Sequence, residues 1–168
     1  MADQKNKLAL IKTAVGEGET YLGGQLTLAT SADQRAAILG GVFTAAGTAI
    51  IAGLIAAYSA GFTLNAILFG GLVAAILFLV GAGMCVSTVM PVGFNLPGNE
   101  PASWKADIER DRALIEALEE EAANFQSKIE DNRTVLKKNA KRFKWGAVAG
   151  ITAPVAGLIV WLLVSVPS

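Results

Sequence analysis

Few side chains in this sequence are suited to chemistry. Its 168 residues include no histidine, which removes the commonest metal ligand and the commonest acid–base group near neutral pH. The single cysteine, Cys85, lies in an apolar run, so it can form no disulfide within the chain and is expected to be a buried small side chain. No nucleophile, general base or set of metal ligands converges elsewhere. We therefore expect no catalytic site, no cofactor and no metal, which leaves binding or assembly as the expected role.

The composition indicates a membrane protein. Apolar residues make up 53% of the chain, charged residues only 17%, and there are 18 glycines, a balance more typical of membrane proteins than of soluble domains. The 14 acidic and 14 basic residues cancel, and no aromatic residues are interleaved with the basic ones for stacking on bases. We therefore expect the lipid bilayer as a partner and no nucleic acid.

Three uncharged runs are long enough to cross a bilayer: Ala36–Tyr58, Leu64 to about Met90, and Trp145–Val166. Residues 59–63 have the composition of a tight turn, which joins the first two runs into a hairpin over residues 36–90. The sequence therefore predicts an all-α membrane protein with three transmembrane helices, the third over residues 145–166.

The remaining segments are more polar. Residues 1–35 are expected to form short amphipathic helices, broken around Gly16, Gly18, Gly23 and Gly24. Residues 91–101 are rich in proline and glycine and predict an ordered connector. Residues 102–144 predict one long charged helix that ends at the third span.

The distribution of basic residues predicts the orientation. Four precede the first span, the hairpin turn has none, and ten lie between Lys105 and Lys144. The positive-inside rule then places the N-terminus and residues 91–144 in the cytoplasm and the C-terminal residues 166–168 outside. The expected location is the bacterial inner membrane.

Small residues recur every four positions along the first span, as Gly41, Ala45, Ala49, Gly53 and Ala57. Such a stripe lets helix backbones approach closely in lipid. We expect this face to pack against a helix, of the same chain or of another.

Polar side chains inside the spans are few, and none is charged, which argues against a coupled transporter. The hydroxyl groups are expected to donate to the backbone of their own helices. They belong to Thr44, Thr48, Ser87, Thr88 and Thr152.

A heptad of apolar residues runs through the charged helix and predicts a partner helix. The partner is open: either another copy, in a coiled coil, or the N-terminal segment of the same chain. Asn132 and Asn139 fall at the second seam position of this heptad, where asparagine can fix register. The heptad residues are Ile108, Ile115, Ala122, Ile129, Leu136 and Phe143.

Basic residues cluster just before the third span, at Lys137, Lys138, Lys141, Arg142 and Lys144. Such a cluster can bind anionic lipid headgroups. Setting the topology would by itself also explain it.

The residues Ala32-Asp33-Gln34-Arg35-Ala36, directly before the first span, resemble the Ala-Asp-x-Lys-Ala entry of bacterial two- or three-span effector domains, such as the transmembrane effectors of Pycsar-type anti-phage systems. The layout of hairpin, charged cytoplasmic helix and last span is similar too. The resemblance implies permeabilisation of the membrane on activation, with a cyclic nucleotide sensed by a separate module.

Two functions follow as expectations. The first is a homo-oligomer that self-assembles through the small-residue faces of its transmembrane helices and through the cytoplasmic heptad helix, and that acts as a scaffold or as an accessory subunit of a larger membrane complex. The alternative is an oligomeric pore or membrane-disrupting effector.

Overall fold

The computed structural model describes residues 2–61 and 65–166. It contains α1 (Ala2–Ser59), α2 (Asn65–Val89), a 3-10 turn (Pro101–Trp104), α3 (Lys105–Glu109) and α4 (Leu114–Ser165). Helix accounts for 89% of the described residues, and these contain no strand. The expectation of an all-α fold is confirmed. Part of the predicted hairpin turn and the last two residues of the chain lie outside the described ranges.

Three helices, α1, α2 and α4, each contain a stretch long and apolar enough to cross a membrane. These stretches correspond to the three predicted runs. In sequence terms, an uninterrupted run of about 20 apolar residues is a strong signal because 1.5 Å of rise per residue must cover the hydrocarbon thickness.

The amino-terminal region differs from the prediction, because α1 is one helix over 58 residues and is not broken at its glycines. Glycine in a helix costs only about 1 kcal/mol relative to alanine, and tertiary packing overrides a preference of that size. Here Val15 and Leu22, on either side of Gly16 and Gly18, pack against another helix. That packing offsets the weak helix preference of the glycines.

The predicted single helix over residues 102–144 is also wrong in its bounds. It is divided into the 3-10 turn, α3 and α4, with a break between Glu109 and Leu114. Two hydrogen bonds close α3, from the Asp111 N–H to the Ile108 carbonyl (3.3 Å) and from the Arg112 N–H to the Asp107 carbonyl (3.0 Å). This is the Schellman arrangement, with Asp111 at φ 49° in the position usually held by glycine.

After this break, α4 continues without interruption to Ser165, so the charged helix and the third apolar run are one element. Arg112 holds the break through ion pairs with Asp107, Glu116 and Glu120. Its hydrogen bonds to Glu120 and then to Asp107 raise the pKa of the guanidinium above its usual value.

The chain divides into two compact units. We call them the charged unit, which comprises the part before Ala32 together with Val92–Lys137, and the apolar unit, which comprises Ala32–Pro91 together with the part from Lys138 onwards. Both α1 and α4 contribute to each unit.

The core of the charged unit forms between α1 and α4. Leu22, Phe125 and Ile129 are buried against one another, and Val15 packs on them. A Cβ built on Gly18 would lie 3.1 Å from the Cβ of Phe125, so the small residue admits the ring. The core of the apolar unit is built on Phe43, Ala82 and Cys85, flanked by partly buried neighbours that include Phe143.

Candidate interaction surfaces

Glycines bring α2 and α4 into direct backbone contact within the apolar unit. A Cβ built on Gly70 would lie 2.6 Å from the carbonyl oxygen of Gly157, and one on Gly81 would lie 2.8 Å from that of Gly146. Both distances are shorter than real Cβ contacts, so any larger residue would force the helices apart. Close approach of this kind supplies the van der Waals contact that holds helices together in lipid.

Phe43 of α1 completes this packing. Its ring lies against Gly150 so closely that a Cβ there would overlap it, and it packs at 5.8 Å between ring centroids from Phe78. Gly40 and Gly47 on the same helix face Cys85 and Leu79. The face of α1 that packs inside the apolar unit is therefore the one that carries Gly40, Phe43 and Gly47.

The predicted small-residue stripe lies on a different face of α1. Gly41, Ala45, Ala49 and Gly53 are exposed, and Ala57 is half-buried. A Cβ built on Gly41 or Gly53 would meet no atom within 4 Å in the described chain. This surface is not used for packing between the helices of its own chain.

The hydroxyl groups in the apolar unit are turned to their own helices, as predicted. Thr44 donates to the Gly40 carbonyl at 2.8 Å, and the others bond one turn back in the same way. The remaining donors are Thr48, Ser87, Thr88 and Thr152. These hydroxyls therefore add little polarity to the surface of these apolar helices.

The heptad residues that lie in α4 have neighbours within the chain. Ile129 is buried in the core of the charged unit, and Ile115, Ala122 and Leu136 are half-buried. Phe143 packs in the apolar unit. This arrangement matches the second alternative, an amphipathic helix folded on the N-terminal segment of its own chain. Ile108 lies outside α4, in α3, and is 76% exposed.

Asn132 has a role that the sequence did not indicate. It is fully buried, and its Oδ1 accepts a hydrogen bond from the Asn95 N–H (2.8 Å) while its Nδ2 donates to the Asn95 carbonyl (2.9 Å). The side-chain amide thus pairs with the backbone of the connector, and buried asparagine in α4 does not serve as a coiled-coil register device here. Two features of the sequence could have indicated this pair: a polar residue on the apolar face of α4, and a connector that contains asparagine.

A second set of hydrogen bonds holds the connector further along the chain, at Asn99. Asn99 donates through Nδ2 to the buried Glu121, and Lys128 donates to Oδ1 of Asn99 at 2.6 Å. Lys128 also lies over the Phe125 ring, 5.2 Å from its centroid. Polar contacts therefore hold the connector against α4. Leu96 of the connector is 60% exposed.

Asn139 and one member of the basic cluster, Arg142, cap the end of α2. Asn139 donates to the Thr88 carbonyl (3.2 Å) and Arg142 to the Ser87 carbonyl (3.4 Å). These carbonyls lie in the last turn of α2, where no N–H of the same helix is available to them. They also carry the partial negative charge of the helix end. The four lysines of the cluster, Lys137, Lys138, Lys141 and Lys144, are exposed.

Cys85 is fully buried, as expected, against Gly40 and Gly146. Within the described residues no group of three or more potential ligands could hold a metal ion. No family model, curated protein or solved structure matches this chain. The surfaces described above are therefore the basis for a functional proposal.

Proposed function

We propose that this chain is a small protein of the bacterial inner membrane that self-assembles in the bilayer and acts as a scaffold or accessory subunit of a larger membrane complex. In this proposal the apolar unit spans the bilayer three times. The charged unit lies on the cytoplasmic side and the C-terminus outside, in keeping with the distribution of lysine and arginine.

The observation that carries the proposal is the exposed stripe on α1. Gly40 and Gly47 of this helix have close neighbours in the chain, whereas a Cβ on Gly41 or Gly53 would meet no atom of the described residues within 4 Å. Glycine lowers helix stability by about 1 kcal/mol relative to alanine at such positions. A second copy packed along the stripe explains why glycine stands where no neighbour in the chain requires it.

Lipid gives a reason for this choice of residues. Because acyl chains are as apolar as leucine, apolar burial does not drive helices together in a bilayer, and close backbone approach does. Gly41, Ala45, Ala49 and Gly53 form four successive small positions on one face. The heptad of α4 is not part of this surface, since Ile129 is buried against α1 of the same chain and the other heptad residues of α4 are half-buried.

The test replaces the stripe while sparing the fold. Gly41→Leu with Gly53→Leu adds side chains into open space on α1, and Gly83→Leu does the same at an exposed glycine of α2 that also meets nothing within 4 Å. We expect wild type and Gly83→Leu to share one oligomeric mass in lipid nanodiscs. The double variant should be monomeric. A monomeric wild-type chain, or a double variant of unchanged mass, would contradict the proposal.

Dye release from liposomes that hold the same proteins separates the scaffold from the pore. An oligomer that releases no dye supports the scaffold. Release by wild type that is lost in the double variant would replace the scaffold by the membrane-permeabilising role that the resemblance implies.

A further inference from the structure

The amino-terminal part of α1 carries a second periodic pattern, separate from the stripe. Threonine recurs every seven residues, and each threonine is followed three positions later by glycine or threonine. In a heptad these are the two seam positions. Five of the six residues are exposed and Gly23 is half-buried. We call this set the Thr/Gly seam: Thr13, Gly16, Thr20, Gly23, Thr27 and Thr30.

The seam is not explained by packing within the charged unit. The core there is built on Val15 and Leu22, on another face of α1. A Cβ built on Gly16 or Gly23 would meet no atom within 4 Å among the residues that the structure describes. Glycine is a poor helix former, yet Gly16 and Gly23 stand in a long helix where no described neighbour requires a small residue.

The hydroxyl groups of the seam threonines already have hydrogen-bond partners in their own helix. Thr20 donates its hydroxyl to the Gly16 carbonyl at 2.8 Å, and the other three threonines bond one turn back in the same way. A hydroxyl bonded to its own helix needs no partner from outside. The seam can therefore be covered by another helix without leaving these polar groups unpaired.

A groove of about 890 Å³ lies along this part of α1, and seam residues line it. Gln25 also lines it, is only 5% exposed, and donates from Nε2 to the Ile129 carbonyl at 3.2 Å. Its Oε1 has no hydrogen-bond partner within the described part of the chain. The amide of Gln25 is thus turned to α4, and the open part of the groove is formed by exposed residues such as Thr13, Gly16 and Thr20.

The charges beside the seam identify the occupant. Lys12 and Glu17 are exposed, line the groove, and are five residues apart. This is the spacing at which flanking residues of two parallel helices face each other in a coiled coil. In a symmetric pair, Lys12 of each copy faces Glu17 of the other, so the surface is complementary to itself.

We propose that the Thr/Gly seam binds the same seam of a second copy of this chain, with the two α1 helices parallel. The inference rests on the proposed function, because two copies inserted into one membrane with the same topology present α1 in the same direction. It adds a contact in the charged unit that is separate from the stripe.

Disulfide trapping in lipid vesicles tests the seam. In a Cys85→Ala background, which keeps the buried Cβ, Thr20→Cys should give a disulfide-linked dimer on mild oxidation, because a parallel seam brings the two Cα atoms within disulfide range. Ala14→Cys, exposed on another face of α1, should not. Ala45→Cys reports on the stripe in the same assay.

Charge reversal tests the parallel register. Lys12→Glu should weaken dimerisation about tenfold, since it replaces two attractive pairs by two repulsive ones. Lys12→Glu with Glu17→Lys should restore it. Failure of the double reversal to recover the dimer would overturn the proposed register.

The cross-linking outcomes separate the two proposals. A disulfide at Ala45→Cys with none at Thr20→Cys overturns the seam and leaves self-assembly through the stripe standing. A disulfide at Thr20→Cys alone supports the seam and contradicts the stripe. No cross-link at either position contradicts both.

Discussion

The side chain of Asn132 and the backbone of Asn95 pair through two hydrogen bonds, of 2.8 Å and 2.9 Å. The amide offers one acceptor and one donor to the N–H and carbonyl of a single residue, as a neighbouring strand would. Because Asn132 is fully buried, water cannot substitute for either bond.

Asn132→Ala should therefore destabilise the charged unit by about 1–3 kcal/mol, the usual cost of leaving buried polar groups unpaired. Thermal unfolding followed by circular dichroism, with the protein in detergent micelles, measures the loss. Asp131→Ala, at an exposed neighbouring position of α4, is the control and should change stability by less than about 0.5 kcal/mol. Equal stability of the two variants would show that the pair contributes nothing net.

Gly150→Ala should destabilise the apolar unit more than any exposed glycine substitution, because its Cβ would overlap the Phe43 ring. We expect a cost of about 1–3 kcal/mol from overpacking. Gly83→Ala, which meets nothing within 4 Å, should be neutral or stabilising by up to about 1 kcal/mol. The same melting experiment compares them, and a Gly150→Ala chain as stable as Gly83→Ala would refute the packing.

Ile129→Asp should unfold the charged unit, since it places a charge in the core beside Leu22 and Phe125. A loss of more than about 3 kcal/mol is expected. Ile108→Asp, at a 76% exposed position of α3, should have little effect on stability. Hydrogen exchange of the α1 amides reports the difference. If Ile129→Asp left exchange unchanged and lowered only the oligomeric mass, the coiled-coil alternative would be correct.

Replacing the four exposed lysines of the basic cluster by glutamine should reduce the enrichment of anionic lipid around the protein in mixed-lipid nanodiscs. Each lysine near a charged surface contributes about 1 kcal/mol, and the effect should fall as salt is raised. A single change within the cluster, Lys138→Gln, is compared with a single change outside it, Lys105→Gln, which is the control. Enrichment that survives the fourfold change would leave topology as the sole role of the cluster.

Arg142→Gln should behave differently from the lysine variants. Arg142 is half-buried and donates to the Ser87 carbonyl in the last turn of α2. Its loss removes both a hydrogen bond and a favourable charge at the negative end of that helix, worth about 1–2 kcal/mol together. A melting temperature that falls for Arg142→Gln and stays unchanged for Lys141→Gln would show that Arg142 stabilises the end of α2.

The apolar runs predicted the three candidate spans well because bilayer thickness sets a minimum length that few other constraints produce. The break at Asp111 was missed since aspartate stands where glycine usually signals a helix end. The glycines of α1 led to the opposite error, a helix break that is not there, because packing by Val15 and Leu22 outweighs the weak helix preference of glycine.

The candidate surfaces were only partly predictable. Periodicity located the stripe on α1 but could not say that Gly40, Phe43 and Gly47, on another face, make the contacts within the chain. Likewise the heptad indicated a partner for α4 without choosing it. Which of two similar faces meets a neighbour depends on the rotation of the helix, and small residues on both faces leave that rotation undetermined in the sequence.

The two glycine contacts between α2 and α4 have a mechanical consequence. Gly70 and Gly81 are 11 residues apart, as are their partners Gly157 and Gly146, a spacing of about three helical turns or about 16 Å. A slide of either helix by one turn would put a larger residue at one or both narrow points, because Ala66 or Ala74 would replace Gly70, and Ala153 or Trp161 would replace Gly157. The two contacts therefore favour one register of α2 against α4, and we expect assembly to leave that register unchanged.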